Sequence, residues 1–297
     1  MEELNSKKLE IETEAAEQVA VAEEKAPREV VISFEHVKKE FRYYRSNRQK
    51  MRNILLGMNS GELINVLDDV SFEIHKGEKV AIIGTIASGR STIMRLIAGI
   101  FKPTAGVITV KEEPTLIFDH KYAFKASLTG RENLRLRANL LGWSKEKLAA
   151  VEEDIIEFAD LTGVIDNRVK TLPTGSMARV GLGLMTAYKP DILLYDEFFN
   201  FGGRRYLPRC LERIRSVLDE DTTLIMTVGN VPFVKKFCTR GIVIDKGAIC
   251  FDGSFDEAIA YFKANCKIDP DAAKAAKERE RDEDDMMEED MEGNDFG

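Results

Sequence analysis

The stretch Val80-Ala81-Ile82-Ile83-Gly84-Thr85-Ile86-Ala87-Ser88-Gly89-Arg90-Ser91-Thr92-Ile93-Met94-Arg95-Leu96-Ile97 decides how the rest of the chain is read. Val80 to Ile83 is a continuous apolar run, the pattern of a strand covered on both faces in a parallel sheet. Beyond the glycines, Ile93, Leu96, Ile97 and Ile100 recur at helical spacing. Strand, glycine loop and helix thus follow in the order that a phosphate-binding loop requires. Gly84 to Thr92 fits the spacing of such a loop, with Arg90 where lysine is expected. Glycines let backbone N–H groups approach phosphate oxygens, and the helix N-terminus adds a favourable dipole. In this reading Gly84, Thr85, Ile86, Ala87, Ser88, Gly89, Arg90, Ser91 and Thr92 cradle the phosphates, and Ser91 ligates Mg2+. Arg90 keeps the positive charge, but its guanidinium is larger and forked, unlike a compact ammonium. The competing reading is a glycine turn between strand and helix with no ligand.

A second motif, Asp191-Ile192-Leu193-Leu194-Tyr195-Asp196-Glu197, sets two carboxylates at the end of an apolar strand. Open α/β sheets bind their ligands beyond the carboxyl ends of their strands. Asp196 is placed to hold Mg2+, directly or through water, and Glu197 to polarise an attacking water. Alone, such a pair reads equally as an acidic cap on a neighbouring helix. The glycine loop upstream makes the combination far more specific.

Working outward, VVISFEHV (residues 30–37) and VSFEI (70–74) are strand-like. Between them FRYYRSNRQKMRNILL carries Arg42, Arg45, Arg48, Lys50 and Arg52. A solvated loop or helix face is preferred there over a site for lipid head groups or an anionic substrate. Helices are expected for RENLRLRANLLG (131–142), for SKEKLAAVEEDIIEFADL (144–161) and for MARVGLGLMTAY (177–188). TTLIMTV (222–228) reads as a strand, and GIVIDKGAICFDG (241–253) as a final strand and hairpin.

The apolar fraction of 44% supports a sizeable core. Cys210, Cys238, Cys250 and Cys266 show no Cys-x-x-Cys pairing, which argues against a disulfide framework or a zinc knuckle. His36, His75 and His120 show no metal-ligand clustering. MEELNSKKLE lacks the apolar segment of a secretory signal, and no stretch approaches a membrane-spanning run. The net charge of −8 is unevenly spread: residues 1–28 carry −4, residues 268–297 carry −9, and residues 29–267 carry +5. Both ends are too charged to offset ordering entropy, so they are expected to be disordered or loosely helical, solubilising tails. The small positive charge of the body and the absence of a recognition motif give no support to nucleic-acid binding.

About residues 30–260 resemble the ATPase subunit of an ABC transporter. More narrowly they resemble the branch that exports capsular polysaccharide, O-antigen or teichoic acid. The resemblance rests on SLTGRENLRL (127–136), on IEFADLTGVIDNRVKTLPTGSMARVGLGL (156–184) and on ILLYDE (192–197). It implies an α/β, P-loop NTPase fold of the ABC ATPase type, with a mixed β core, a helical subdomain at about 120–180 and an antiparallel β subdomain. The nucleotide-binding domain is then 29–267, flanked by the acidic tails. Thr129-Gly130-Arg131-Glu132-Asn133 opens the helical subdomain, which in the family docks on a polytopic membrane subunit. Chemically, Thr129 with Glu132 three residues on is also a helix capping box. ATP and Mg2+ are the implied cofactors, and Phe41 is the candidate for stacking on adenine, with Tyr43 and Tyr44 close by. Thr174, Gly175 and Ser176 lie in the signature segment, which in the family grips nucleotide held by a second ATPase subunit, in a homodimer or a heterodimer. The implied location is peripheral, at the cytoplasmic face of the plasma membrane.

The chain also departs from the family pattern. Pro173 stands where the signature serine is usual, which removes an N–H and a hydroxyl donor. Gly229 occupies the place of a γ-phosphate-sensing histidine, and Gly202–Gly203 that of an aspartate facing the second subunit. Around Phe118-Asp119-His120 no glutamine is present. With Arg90, these changes lead us to expect retained nucleotide binding and weak or absent hydrolysis. Losing one oriented donor in such a site typically slows turnover by roughly 10²–10³-fold. The alternatives are a regulatory or scaffolding P-loop member of an export complex, or a subunit paired with a competent ATPase chain.

Overall fold

The computed structural model describes residues 28–43, 61–117, 124–196 and 205–266. The two acidic tails, most of the arginine-rich stretch after Tyr43, and the segments holding Phe118–His120 and Glu197–Gly203 lie outside these residues. In chain order come β1 (Val30–Tyr43), β2 (Glu62–His75), β3 (Lys79–Gly84), α1 (Arg90–Ile97), β4 (Ala105–Val110) and β5 (Pro114–Ile117). Next are α2 (Gly130–Leu140), α3 (Lys145–Ala149), α4 (Glu152–Phe158), α5 (Ser176–Met185) and β6 (Ile192–Tyr195). The order closes with α6 (Leu207–Val217), β7 (Thr223–Thr227), α7 (Val231–Val234), β8 (Arg240–Asp245), β9 (Ala248–Ser254) and α8 (Phe255–Asn265).

The strands form two sheets. One is antiparallel, in the order β2-β1-β4. The other has the order β5-β6-β7-β3-β8-β9 and is parallel except for the β8–β9 hairpin. That hairpin closes through Lys246 and Gly247, at φ 49° and 82°, the paired positive angles of a tight type I′ turn.

The parallel sheet is a middle layer, and its side chains show why. Val80 and Ile82 of β3 pack into a core shared with Phe34, Leu67 and Ile74 of the antiparallel sheet and with Ile93, Met94 and Ile97 of α1. The intervening Ala81 and Ile83 point the other way, into a core with Leu134 of α2, Ile155 of α4, Val180 of α5 and Ala258 of α8. Residues of β6 and β7 alternate likewise, with Ile192 and Ile225 on the first side and Leu193 and Met226 on the second. A sheet covered on both faces needs apolar residues at every position, which accounts for the unbroken runs VAII and ILLY.

Two expectations for local structure change. The arginine-rich stretch does not begin with a loop or helix. Phe41, Arg42 and Tyr43 continue β1 and pair with Ile64, Leu63 and Glu62. The long helix expected over 144–161 is split, because Val151 takes φ −128° and starts α4 after α3 has ended at Ala149. A β-branched side chain carries a rotamer penalty inside a helix, so the break falls at a position with little helical preference. Leu148 and Ile155, on either side of the break, are both buried in one core.

Candidate functional site

The centre of the parallel sheet ends in a loop built around backbone geometry. Residues Thr85 to Gly89 join β3 to α1, with Ala87 at φ 64° and Gly89 at φ 106°. Gly89 is the N-cap of α1 and offers no side-chain cap, so the first-turn N–H groups keep their outward donors. Its positive φ favours glycine, and a Cβ there would lie 2.6 Å from Leu67 Cδ2 and 3.1 Å from the Val66 carbonyl. Ser88 N donates to the Thr85 carbonyl at 3.2 Å, which folds the loop back on itself. The Ser88 hydroxyl is buried and has no hydrogen-bond partner among the described residues. A buried polar group without a partner is costly and asks for a ligand. An anion seated in this loop would supply that partner, so the residues present fit a phosphate group.

Around the loop stand the charged and hydroxyl side chains named from the sequence. Arg90 begins α1, and its Nη1 donates to the Val228 carbonyl at 2.5 Å, at the end of β7. Ser91 is half-buried, and Thr92 is buried beside the α1 core. Thr85 Oγ1 donates to Asp245 Oδ1 of β8 at 3.4 Å. Asp196 directly follows β6, and its Oδ1 accepts from Thr227 Oγ1 at 2.6 Å. Gly84, Thr227 and Asp196 thus lie at the carboxyl ends of β3, β7 and β6, three adjacent strands of one sheet. An oriented carboxylate and a serine hydroxyl are ligands suited to a hard cation such as Mg2+. Glu197, the next residue, lies outside the described residues.

Phe41 lies on β1 near the loop side of the antiparallel sheet. Leu67, against which Gly89 sits, pairs with Lys39, two positions before Phe41. The Phe41 ring meets Phe101 edge-on at 5.2 Å between centroids, and Lys39 Nζ lies 4.8 Å from its centre. Tyr43 is half-buried farther along the strand, and Tyr44 lies outside the described residues.

The signature segment forms a second glycine turn. Gly175 is the N-cap of α5 at φ 76°, again without a side-chain cap. Thr174 is exposed and Gly175 half-buried. Ser176 is buried, and its hydroxyl donates to the Pro173 carbonyl at 2.6 Å. Its backbone N–H donates to the same carbonyl at 3.1 Å, so both donors of Ser176 are spent within the turn, which leaves Thr174 and the Gly175 backbone as the accessible groups. Because α1 packs in one core and α5 in the other, the helices that the two glycine turns open lie on opposite faces of the sheet.

Sequence reasoning assigned Thr129–Asn133 a docking role, and the structure shows what each side chain does inside the chain. Thr129 and Glu132 form the capping box of α2. Those hydrogen bonds hold the Glu132 carboxyl below its usual range. A Cβ on Gly130 would lie 2.8 Å from the Ile165 carbonyl. Arg131 donates to Asp166 at 2.8 Å and to Glu152 at 2.9 Å, which raises its pKa further. Asn133 is fully buried and bonds both the N–H and the carbonyl of Lys125, at 2.7 and 2.9 Å. The motif ties loop 125–129, α2 and α4 into one unit.

Sequence reasoning missed Arg179. It is buried in α5, donates to the Ala159 carbonyl at 2.9 Å, and its guanidinium lies 3.6 Å from the centre of the Tyr206 ring. Tyr206 in turn donates to Asp160 at 3.1 Å. An arginine inside the otherwise apolar MARVGLGLM was the available signal, since arginine is almost never fully buried without partners.

A glycine loop between a central parallel strand and a buried helix, with a carboxylate at the end of a strand two places away in the same sheet, is the arrangement of a P-loop α/β cassette. The family model for ABC transporters matches residues 67–200. The O-antigen export system ATP-binding protein RfbB of Klebsiella pneumoniae is 32% identical over 239 residues, covering 78% of this chain and 97% of that protein. The teichoic acids export ATP-binding protein TagH of Bacillus anthracis is 30% identical over 231 residues, which are 78% of this chain and 42% of that protein. Its counterpart in Bacillus cereus is 31% identical over 236 residues, which are 80% of this chain and 43% of that protein. The chain therefore spans less than half the length of the TagH relatives. Among solved structures, a dimeric ATP-binding cassette in a post-hydrolysis state bound to ADP and Pi shares the fold with a TM-score of 0.60 at 19% identity, covering 75% of this chain and 98% of that one. The ATP-binding subunit of an ABC transporter gives the same TM-score at 18% identity, covering 83% and 99%. The chain belongs to the ABC transporter ATP-binding family, and its fold is the ABC ATPase fold. No helix among the described residues is long and apolar enough to cross a membrane.

Proposed function

We propose that this chain is the nucleotide-binding subunit of an ABC transporter that exports a cell-surface polysaccharide, and that it couples Mg-ATP binding to transport. The observation that carries this reading is the β3–α1 loop, whose left-handed Ala87 and Gly89 enclose the unpartnered Ser88 hydroxyl. The likeness to RfbB and TagH supplies the substrate class. In this reading the loop from Gly84 to Thr92 cradles the phosphates, and Phe41 offers a face to adenine. Ser91 and Asp196 hold Mg2+, which when bound neutralises phosphate charge. Glu197 orients the attacking water. Thr174 and Gly175 face nucleotide bound by a second ATPase subunit, identical or not, while Ser176 holds the turn through its two bonds to the Pro173 carbonyl. The helical unit opened by Thr129–Asn133 engages a polytopic membrane subunit, which places the chain peripherally at the cytoplasmic face of the membrane. Residues 29–267 form the nucleotide-binding domain, with residues 1–28 and 268–297 as flanking tails.

The chain's own hydrolysis is slow in this proposal. Arg90 is bonded to the Val228 carbonyl, both donors of Ser176 are consumed by Pro173, and Gly229 carries no side chain. The test is ATP turnover by purified protein, in wild type and in Glu197→Gln. We expect turnover far below that of a consensus cassette, restored by a partner ATPase subunit recovered from the same membranes. Brisk, Glu197-dependent turnover by the isolated chain would show that these changes are tolerated. A regulatory or scaffolding role is the second reading, favoured by the same bonds, and it predicts that Glu197→Gln leaves export intact.

A further inference from the structure

A bond from the proposed nucleotide site reaches the connection that follows β7. The Arg90 guanidinium, at the first position of α1, donates from Nη1 to the Val228 carbonyl at 2.5 Å. Val228 ends the β7 run, and its own N–H donates to the Ile82 carbonyl of β3 at 3.1 Å. Two residues on, Asn230 caps the short helix α7, accepting from Phe233 N at 3.1 Å. The segment Val228-Gly229-Asn230 is therefore held at one point by β3 and at another by a cation on the phosphate loop. Gly229 between them adds no side chain and maximal backbone freedom. The cation that would meet the phosphates thus also bonds the β7–α7 connection.

We propose that Arg90 is a positioning residue that exchanges partners: nucleotide phosphates compete with the Val228 carbonyl for its guanidinium, so that phosphate binding releases the β7–α7 connection. The inference rests on the nucleotide-binding reading of the same loop. A phosphate is an anion and binds a guanidinium more strongly than a neutral carbonyl does, so the exchange runs toward phosphate when nucleotide is present. The coupling is reciprocal: whatever holds Val228-Gly229-Asn230 in its bonded arrangement weakens nucleotide binding, and nucleotide loosens that segment. A lysine at position 90 would offer a single point charge, whereas the fork of arginine spans the distance from the loop to β7.

The test is amide hydrogen exchange over 228–234 in the intact chain, with Mg-ATP binding measured on the same samples. Wild type, Arg90→Ala and Arg90→Gln are compared, both variants being too short to reach Val228. Without ATP, exchange in the variants should rise by about tenfold or more, the effect of losing one hydrogen bond to a charged group. ATP should accelerate exchange at this segment in wild type and add nothing in the variants. Equal protection of wild type and both variants without ATP would overturn the tether. ATP binding that leaves the wild-type segment unchanged would overturn the exchange. If wild type binds no ATP while the variants are loosened, the nucleotide reading of the loop fails and the exchange step fails with it, although the Arg90–Val228 tether stands. Thermal unfolding of each variant distinguishes a freed segment from a misfolded chain.

Discussion

The two glycine turns, at Gly89 and at Gly175, use the same backbone device and carry different chemistry. Each sets a left-handed glycine at a helix N-cap and leaves the first-turn N–H groups without a side-chain acceptor. Behind Gly89 lie an unpartnered serine hydroxyl and a cation at the first helical position. At Gly175 the corresponding serine is satisfied by Pro173, and the arginine of that helix, Arg179, is buried against Tyr206. In the proposed function the first turn seats an anion by itself. The second offers Thr174 and backbone, and in the same proposal it meets a ligand brought by another chain. Helix geometry makes an anion site available, and the surrounding side chains decide whether it is complete.

The comparison breaks most visibly at the glycines. Gly89→Val places a β-branched side chain at φ 106° and 2.6 Å from Leu67 Cδ2, so ATP binding by the purified chain should be abolished. Gly175→Ala, at φ 76°, should cost about 1–2 kcal/mol of stability by denaturant unfolding and leave ATP affinity unchanged. Equal loss of affinity in both variants would contradict the division of labour.

The next effect is at the metal. Asp196→Asn keeps an acceptor for Thr227 Oγ1 and removes the charge. The chain should unfold at nearly the same temperature and bind Mg-ATP about tenfold or more weakly, while its affinity for ATP without metal changes little.

The serines give a smaller and sharper contrast. Removing a buried hydroxyl that lacks a partner lifts its desolvation cost, whereas removing a bonded one costs about 1 kcal/mol. Ser88→Ala should therefore raise thermal stability slightly and weaken ATP binding several-fold. Ser176→Ala should lower stability by about 1 kcal/mol and leave ATP binding as it is. The opposite pairing of effects would reverse the assignment of the two turns.

The smallest effect concerns the core beneath the helical face. Burial raises the Cys210 thiol to about 11 and the Cys238 thiol to about 12 from an ordinary 9.0, so both stay protonated at pH 8. Alkylation at pH 8 should label exposed Cys250 and spare these two until the chain unfolds. Because both folded values are raised, their contribution to stability is full below pH 9 and falls away as pH climbs toward 12.

Much of this organisation could be read from the chain beforehand. The unbroken apolar runs at 80–83 and 192–195 announced a sheet covered on both faces, and the loop between β3 and α1 followed from glycine spacing set between an apolar strand run and a helical one. The capping box of Thr129 and Glu132 was local, and therefore legible. What escaped was long-range. Arg90 meets Val228, which is 138 positions away, and Arg131 meets Asp166, which is 35 away; no periodicity encodes such partners. The break at Val151 escaped because the 3.6-residue pattern continues through it while the backbone does not. The burial of Asn133 and Arg179 was hidden because polar side chains enter a core only when a distant backbone group is there to receive them.

Whether the Gly89 turn binds nucleotide within a single chain is the point on which everything else depends. Titration of the purified wild-type chain with ATP, with and without Mg2+, tests it most directly. Saturable binding is expected, strengthened by Mg2+ and eliminated by Gly89→Val. A correctly folded chain that takes up no ATP at millimolar concentration would contradict it.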